Sequence, residues 1–312
     1  MDKLIWHGRA LSRLTLGTVQ LGLNYGIANQ NGQPDAGAAY AILQTAADLG
    51  VTVFDTALHY GNSEAVLGSW LAARPAGQPE PTMVTKFKLT CADDADERTV
   101  EQDVRTQLET SLSRLGLRQV PLYLLHNSQD LRRQEANLVR VLGRLTREGL
   151  IGAAGVSIYG PDDVDKILSH DVFQAIQAPM NLFDTRLVRS GALGRLAAAG
   201  LAVFIRSVYL QGLFFMPAEK LPPALSAAAE LLAGLRRLAE TEGLSIAQLA
   251  ISYVRDMPGV TSLVVGAERA DQIAETAVLL AGPPLSERAA AAVADSFADV
   301  PEQIIDPNYW RR

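Results

Sequence analysis

One cysteine, Cys91, in 312 residues leaves the chain without an internal disulfide and without a thiolate metal cluster. No stretch approaches the roughly 18 continuous apolar residues of a membrane span. The opening Met1-Asp2-Lys3-Leu4-Ile5-Trp6-His7 lacks the apolar run of a secretion signal. Basic residues are not in surplus: 28 Lys and Arg against 34 Asp and Glu give a net charge of −6, which argues against a nucleic-acid partner. Neither G-x-G-x-x-G nor G-x-x-x-x-G-K-[ST] occurs, so the dinucleotide-fold and P-loop fingerprints are both missing. What is plentiful is apolar side chain, 48% of the sequence, enough to bury a full core and to exclude disorder. A cytoplasmic globular protein with no membrane partner remains, and an enzyme is the expected class.

Runs rich in Val, Ile and Leu recur at 14–18, 51–54, 83–86, 121–125, 153–157, 175–178, 202–205 and 262–265. They are mostly continuous rather than alternating, as in strands covered on both faces of a parallel sheet. Between them, 37–50, 63–74, 97–116, 131–149, 162–169, 186–200 and 226–243 show helical periodicity, and several end at glycine. About eight such units without a Pro- or Ser-rich linker predict an α/β protein, one (β/α)8 barrel domain over residues 1–312. A doubly wound sheet is the alternative, with fewer strands than these. Two short apolar stretches around His7-Gly8-Arg9, within 4–14, read as a β-hairpin closing the barrel floor. The longest irregular stretches, 22–35 and 214–225, each follow a strand and are expected over the mouth, where barrel active sites lie.

Polar residues at the C-terminal ends of barrel strands are the candidates for chemistry. They are Asp55, Lys86, His126, Ser157 and Gln177, with Tyr60 on the loop beyond Asp55. Each has an ordinary reading: Asp55 as a cap, Lys86 as a snorkelling side chain, His126 as a satisfied core histidine. Together they form a set that polarises a carbonyl and gives it a proton. An ordinary tyrosine, pKa near ~10, is a slow donor at neutral pH. A cation about 4 Å away lowers that value by up to roughly three units, an upper bound that desolvation reduces. Lys86 would supply the cation, Asp55 would keep Lys86 charged, and His126 would orient the substrate oxygen. A metal held by His59, His126 and Asp55 is a rival, as is a Schiff-base Lys86, which an adjacent carboxylate would hold protonated. Paired glycosidase carboxylates have no counterpart at the strand ends.

Leu16-Gly17-Thr18, Phe54-Asp55-Thr56-Ala57, Tyr60-Gly61-Asn62-Ser63-Glu64, Val84-Thr85-Lys86, Leu124-Leu125-His126 and Gly155-Val156-Ser157 resemble, in order and nearly end to end, the aldo-keto reductase superfamily. The flavour is that of a bacterial branch, carried by 17–27, 206–212 and 305–310. The resemblance implies a (β/α)8 barrel binding extended NADP(H), with hydride passing directly from nicotinamide to a carbonyl carbon. It assigns a tetrad of Asp55, Tyr60, Lys86 and His126, with Tyr60 as general acid. It places Gly17, Thr18 and Asp55 near the nicotinamide ribose, Ser157 and Gln177 on the carboxamide, and Asn181 nearby. Ser207 and Leu210 would wrap the pyrophosphate, and Gly266, Arg269, Gln272 and Glu275 would meet the adenosine end.

Three positions depart from the family pattern. Ile158 follows Ser157 where the family has Asn, Thr276 stands at a position often Asn, and Arg206 replaces the aromatic that stacks on nicotinamide. Arg206 would stack through its guanidinium plane, or Tyr209 would substitute. Arg269 beside Glu268 favours NADPH, with NADH as the alternative if Glu268 binds a 2′-hydroxyl. Tyr25, His59, Asn127 and Tyr209 are the expected substrate contacts for an aldehyde, ketone or sugar carbonyl. Tyr309 and Trp310 either join that pocket or pin the tail to the barrel exterior. A cofactor-binding regulatory subunit with little turnover is the alternative function.

Overall fold

The computed structural model describes residues 1–310; among these, eight of ten strands close into a parallel barrel. An antiparallel hairpin of β1 (Lys3–Trp6) and β2 (Arg9–Ser12) precedes it. The staves are β3 (Leu14–Gly17), β4 (Val53–Asp55), β5 (Thr82–Phe87), β6 (Val120–Leu125), β7 (Ile151–Ser157), β8 (Phe173–Pro179), β9 (Ala202–Arg206) and β10 (Ser262–Gly266). They run in chain order, and β10 returns to pair with β3. Around them lie α1 (Val19–Gly22), α2 (Ala36–Asp48), α3 (Ser63–Ala73), α4 (Glu97–Leu115), α5 (Ser128–Arg147), α6 (Val164–Leu168), α7 (Arg186–Arg189) and α8 (Ala192–Ala198). The sequence closes with α9 (Ala228–Glu242), α10 (Ile246–Arg255), α11 (Ala270–Leu280), α12 (Glu287–Ser296) and α13 (Glu302–Ile305). None of these helices is long and apolar enough to cross a membrane.

Local chemistry explains the main boundaries. Asp35 and Asp96 each accept a hydrogen bond from a first-turn backbone N–H, starting α2 and α4. Gly116 and Gly243 end α4 and α9 in the left-handed conformation that costs glycine nothing. The helices 246–255, 270–280 and 287–296 lie outside the segments whose periodicity was read from the sequence. In 246–255, Leu249 through Val254 are all buried, and the polar stripe of Gln248, Ser252 and Arg255 is narrow.

The barrel interior is a separate small core of Val53, Val84, Leu122, Leu124, Ala153, Ala175, Ala202 and Phe204. Trp6 and Leu11 of the hairpin join it from below, so the hairpin closes the floor as its sequence suggested. A larger apolar layer fills the space between staves and helices. Strand side chains alternate between these two layers, and that alternation positions the site.

Candidate active site

Two residues on from interior Val53 is Asp55; two on from Val84 is Lys86; two on from Leu124 is His126. The same count takes Ala175 to Gln177 and Phe204 to Arg206, and four residues take Ala153 to Ser157. Each polar side chain therefore enters the barrel from an inward-facing position at or just beyond the end of its stave. Convergence at the mouth follows from strand parity.

Lys86 is wholly buried, and its ammonium lies 2.8 Å from Asp55 Oδ1. It donates to Asp55 Oδ2 at 2.8 Å and to the Thr56 carbonyl at 2.9 Å. Gln177 Nε2 donates to Asp55 Oδ1 at 2.7 Å. Burial draws the Lys86 pKa down, and the charge and hydrogen bond of Asp55 oppose that fall. A lysine tied to a carboxylate and a carbonyl is a poor Schiff-base nucleophile.

Tyr60 sits half-buried with its ring centroid 4.9 Å from the Lys86 ammonium and 5.5 Å from the His126 ring. The expected acidification of Tyr60 by Lys86 is not found. Burial first, and then the Asp55 charge, push its pKa above the usual tyrosine value, while Arg206 pulls the other way. Tyr60 thus keeps its proton in the resting protein. His126 is driven down to about 2, by burial first and then by Lys86, Lys88, Arg206 and His59. It is a neutral imidazole at working pH, and its buried Nδ1 has no hydrogen-bond partner among the described residues.

A hydroxyl cluster missed at the sequence level holds the Tyr60 loop. Thr18 Oγ1 donates to the Asp55 carbonyl at 2.8 Å and lies 2.7 Å from Ser63 Oγ. Ser63 donates to the Thr18 carbonyl at 2.9 Å and accepts from Thr56 at 2.9 Å. Beneath it, Glu64 is only 1% exposed and accepts from Thr85 Oγ1 at 2.7 Å. Backbone closeness completes the clamp: a Cβ on Gly22 would collide with the Tyr60 carbonyl, and one on Gly61, at φ +56°, with the Gly22 carbonyl. The signal was in plain view, since Ser63-Glu64 closes the motif that contains Asp55 and Tyr60.

Gly17 is the register partner of both Asp55 and Gly266, which brings those three strand ends together. Ser157 pairs with Gln177 across β7 and β8. Arg206 donates to the Ile158 carbonyl at 3.2 Å and to Ser207 Oγ at 3.3 Å, with its guanidinium 5.0 Å above the Tyr159 ring. Beyond it, Ser207, Leu210 and Gln211 all have positive φ, a strain for residues with a Cβ. Asn181 Nδ2 steadies this turn by donating to the Ser207 carbonyl at 3.1 Å, while its Oδ1 accepts from Phe183 and Asp184 N–H groups.

At the far end, Gln272 Oε1 accepts from the backbone N–H groups of Glu268 and Arg269 at 2.8 and 3.2 Å, so it caps α11. Arg269 pairs with Asp271 at 3.0 Å, and Glu268 accepts from Asn31 Nδ2 at 2.9 Å. Tyr209 is placed with this end rather than with the tetrad. Its ring lies 5.1 Å from Phe215, and its hydroxyl is hydrogen-bonded to Thr276 and faces the Glu275 charge. The other expected substrate contacts stay near the mouth. His59 is exposed, 6.4 Å from the His126 ring, and Tyr25 lies within electrostatic reach of Lys86. Asn127 caps α5 by accepting from Gln129 N–H at 2.8 Å. The tail rests on the start of α7 through the Arg186–Glu302 pair, and Trp310 Nε1 donates to the Gln303 carbonyl at 3.1 Å.

The family model described as "Aldo/keto reductase family" matches residues 13–296. The chain belongs to the aldo/keto reductase family. Aldo/keto reductases use nicotinamide cofactors, and the named relatives are reductases. The chain is 24% identical to the L-glyceraldehyde 3-phosphate reductase of Escherichia coli K12, over 92% of this chain and 91% of that one. It is 26% identical to the 6-dehydroglucose reductase of Novosphingobium aromaticivorans, over 80% and 83%. The holo form of the aldo-keto reductase AKR11C1 of Bacillus halodurans superposes with a TM-score of 0.78 at 21% identity, covering 97% of this chain and 98% of that one, which shows a shared fold.

Proposed function

We propose that this aldo/keto reductase is an NADP(H)-dependent enzyme of the cytoplasm that reduces an aldehyde, ketone or sugar carbonyl, with Tyr60 as general acid. The observation that carries the reading is the buried Lys86–Asp55–Gln177 chain set against a protonated Tyr60 and a neutral His126 at one mouth. A nicotinamide dinucleotide fits the residues present. The orphaned His126 Nδ1 and Gln20 Oε1 are buried polar atoms that need partners, and Gln20 lies against Gly266, where any side chain would fill the cradle. Gly17, Thr18, Asp55, Ser157, Gln177, Ser207, Leu210, Gly266, Arg269, Gln272 and Glu275 would hold it, and when bound it supplies the hydride.

The chain's own residues do the rest. Neutral His126 donates a hydrogen bond to the substrate oxygen and fixes its orientation. Tyr60 holds its proton until negative charge develops on that oxygen, then releases it there. Lys86, 4.9 Å from the Tyr60 ring, stabilises the tyrosinate as it forms. Tyr25, His59 and Asn127 line the approach. NADPH is the expected form because Arg269 is the cation nearest the adenosine end, though reading a 2′-phosphate would draw it from Asp271. Tyr60→Phe tests the reading, since it keeps the ring and deletes only the proton. It should retain cofactor affinity and lose about 10²–10⁴ in kcat. Normal turnover at saturation with weakened cofactor binding would overturn Tyr60 as acid.

A further inference from the structure

Arg206 enters the barrel from the last inward position of β9, half-buried, and meets no carboxylate. Its partners among the described residues are neutral: the Ile158 carbonyl, Ser207 Oγ and the Tyr159 ring face. The one carboxylate in the tetrad, Asp55, is engaged with Lys86 and Gln177. Glu64 lies behind β5, bonded to Thr85, and Asp184 is paired with Arg186. A second cation, Lys88, sits exposed just past the end of β5 with no ion pair among the described residues, and its field falls on His59 and His126. The Arg206 field falls on Tyr60, Lys86 and His126 alike.

A chain with a net charge of −6 has thus left its reaction chamber with uncompensated positive charge. A half-buried guanidinium without a counter-charge is costly to keep, and a positive cleft steers anions toward itself. The turn that follows Arg206 is strained and pinned by Asn181, so the side chain is held in the chamber.

We propose that the substrate is an anionic carbonyl compound, bearing a carboxylate or phosphate a few atoms from the reacting carbonyl, and that Arg206 is the counter-charge that binds that group. Lys88 draws the anion to the rim. This rests on the carbonyl-reductase reading above and names its substrate class. Arg206 suits the role because its planar fork engages a carboxylate or a phosphate through two parallel hydrogen bonds. A phosphate of the dinucleotide is the other source of such an anion, and the experiment separates the two.

The test uses matched pairs on the full chain: succinic semialdehyde against butanal, and glyceraldehyde 3-phosphate against glyceraldehyde. The wild type should prefer the anionic member in kcat/KM by tenfold or more, mainly through KM. In Arg206→Gln the preference should fall by about 10- to 100-fold, with Arg206→Lys intermediate. The NADPH Kd, from fluorescence titration, should move by far less than the preference does. An unchanged preference with a weakened NADPH Kd would give Arg206 to the cofactor and overturn the proposal. So would a wild type indifferent to charge. Binding without turnover separates this idea from the reading beneath it. Glycerol 3-phosphate, but not glycerol, should raise the Tm of the NADP⁺-loaded protein, and Arg206→Gln should abolish the rise. That result without any turnover would sink the reductase and leave the anion site standing; no rise and no preference would sink the anion site.

Discussion

Lys86 and Asp55 are a buried pair whose two halves are worth very different amounts alone. Lys86→Met keeps the stem but leaves the Asp55 carboxylate buried and unpaired, which should cost about 3–5 kcal/mol. Turnover should collapse with it, because the free carboxylate field would hold the Tyr60 proton still more tightly. Lys86→Met/Asp55→Asn should regain stability without regaining turnover, since no ammonium then lies 4.9 Å from the Tyr60 ring to stabilise its anion. Melting temperature and NADPH oxidation measured on both variants check this, and restored activity in the double variant would reduce Lys86 to a structural part. His126 makes a different prediction. Its folded pKa of about 2 lies far below the 6.5 of the unfolded chain, so the unfolded state alone takes up a proton below pH 6.5. The neutral-imidazole contribution is therefore present above that pH and lost as pH falls, by at most ~1.4 kcal/mol per pH unit. Urea midpoints at pH 7.5 and 5.5 should show a steeper acid loss in the wild type than in His126→Gln. Equal slopes would mean that the imidazole titrates normally in the fold.

Between elements, the Tyr60 loop owes its position to contacts too close for any side chain. Gly22 ends α1 directly against the Tyr60 carbonyl and Ser63, and Gly61 returns the contact. Gly22→Ala should push the loop outward, and a displacement of that order at a reacting group costs about 10² in rate. The expected outcome is a fall in kcat of that size with a much smaller change in urea midpoint, because the barrel core is untouched. A loss confined to stability would remove the clamp from the account. The same loop shows what was legible and what was not. Asp55, Lys86 and His126 could be placed by counting along apolar runs, because strand parity is written in the sequence. Where Tyr209 points could not, because side chains beyond a strand end follow the loop backbone, here one with positive φ at three residues bearing a Cβ. Gln272 was obscured differently: the residue type that could touch a cofactor is also the one that caps a helix.

The whole molecule separates stability from chemistry along the barrel axis. Trp6 and Leu11 seal the floor, and the tetrad opens at the opposite end. Trp6→Ala should therefore lower stability by about 3–5 kcal/mol and leave kcat essentially unaltered. A urea melt alongside steady-state rates checks both halves, and a parallel loss of kcat would show that the floor and the mouth are coupled. The eight-stave closure was legible because every stave is a short continuous apolar run. The helix 246–255 was not read, since its polar stripe of Gln248, Ser252 and Arg255 is narrow beside the buried run Leu249–Val254.

Lysine is rare in this protein, with Lys3, Lys86, Lys88, Lys166 and Lys220 the full set. Four of them reach solvent, and Lys86 does not. Acylation needs an unprotonated amine that a reagent can touch, and Lys86 is both sealed and hydrogen-bonded to a carboxylate. Exhaustive treatment of the native protein with an N-hydroxysuccinimide ester should therefore label Lys3, Lys88, Lys166 and Lys220 and spare Lys86. In peptide mass maps, labelling at Lys86 should rise only as the barrel unfolds, so this one amine reports the integrity of the chamber from within.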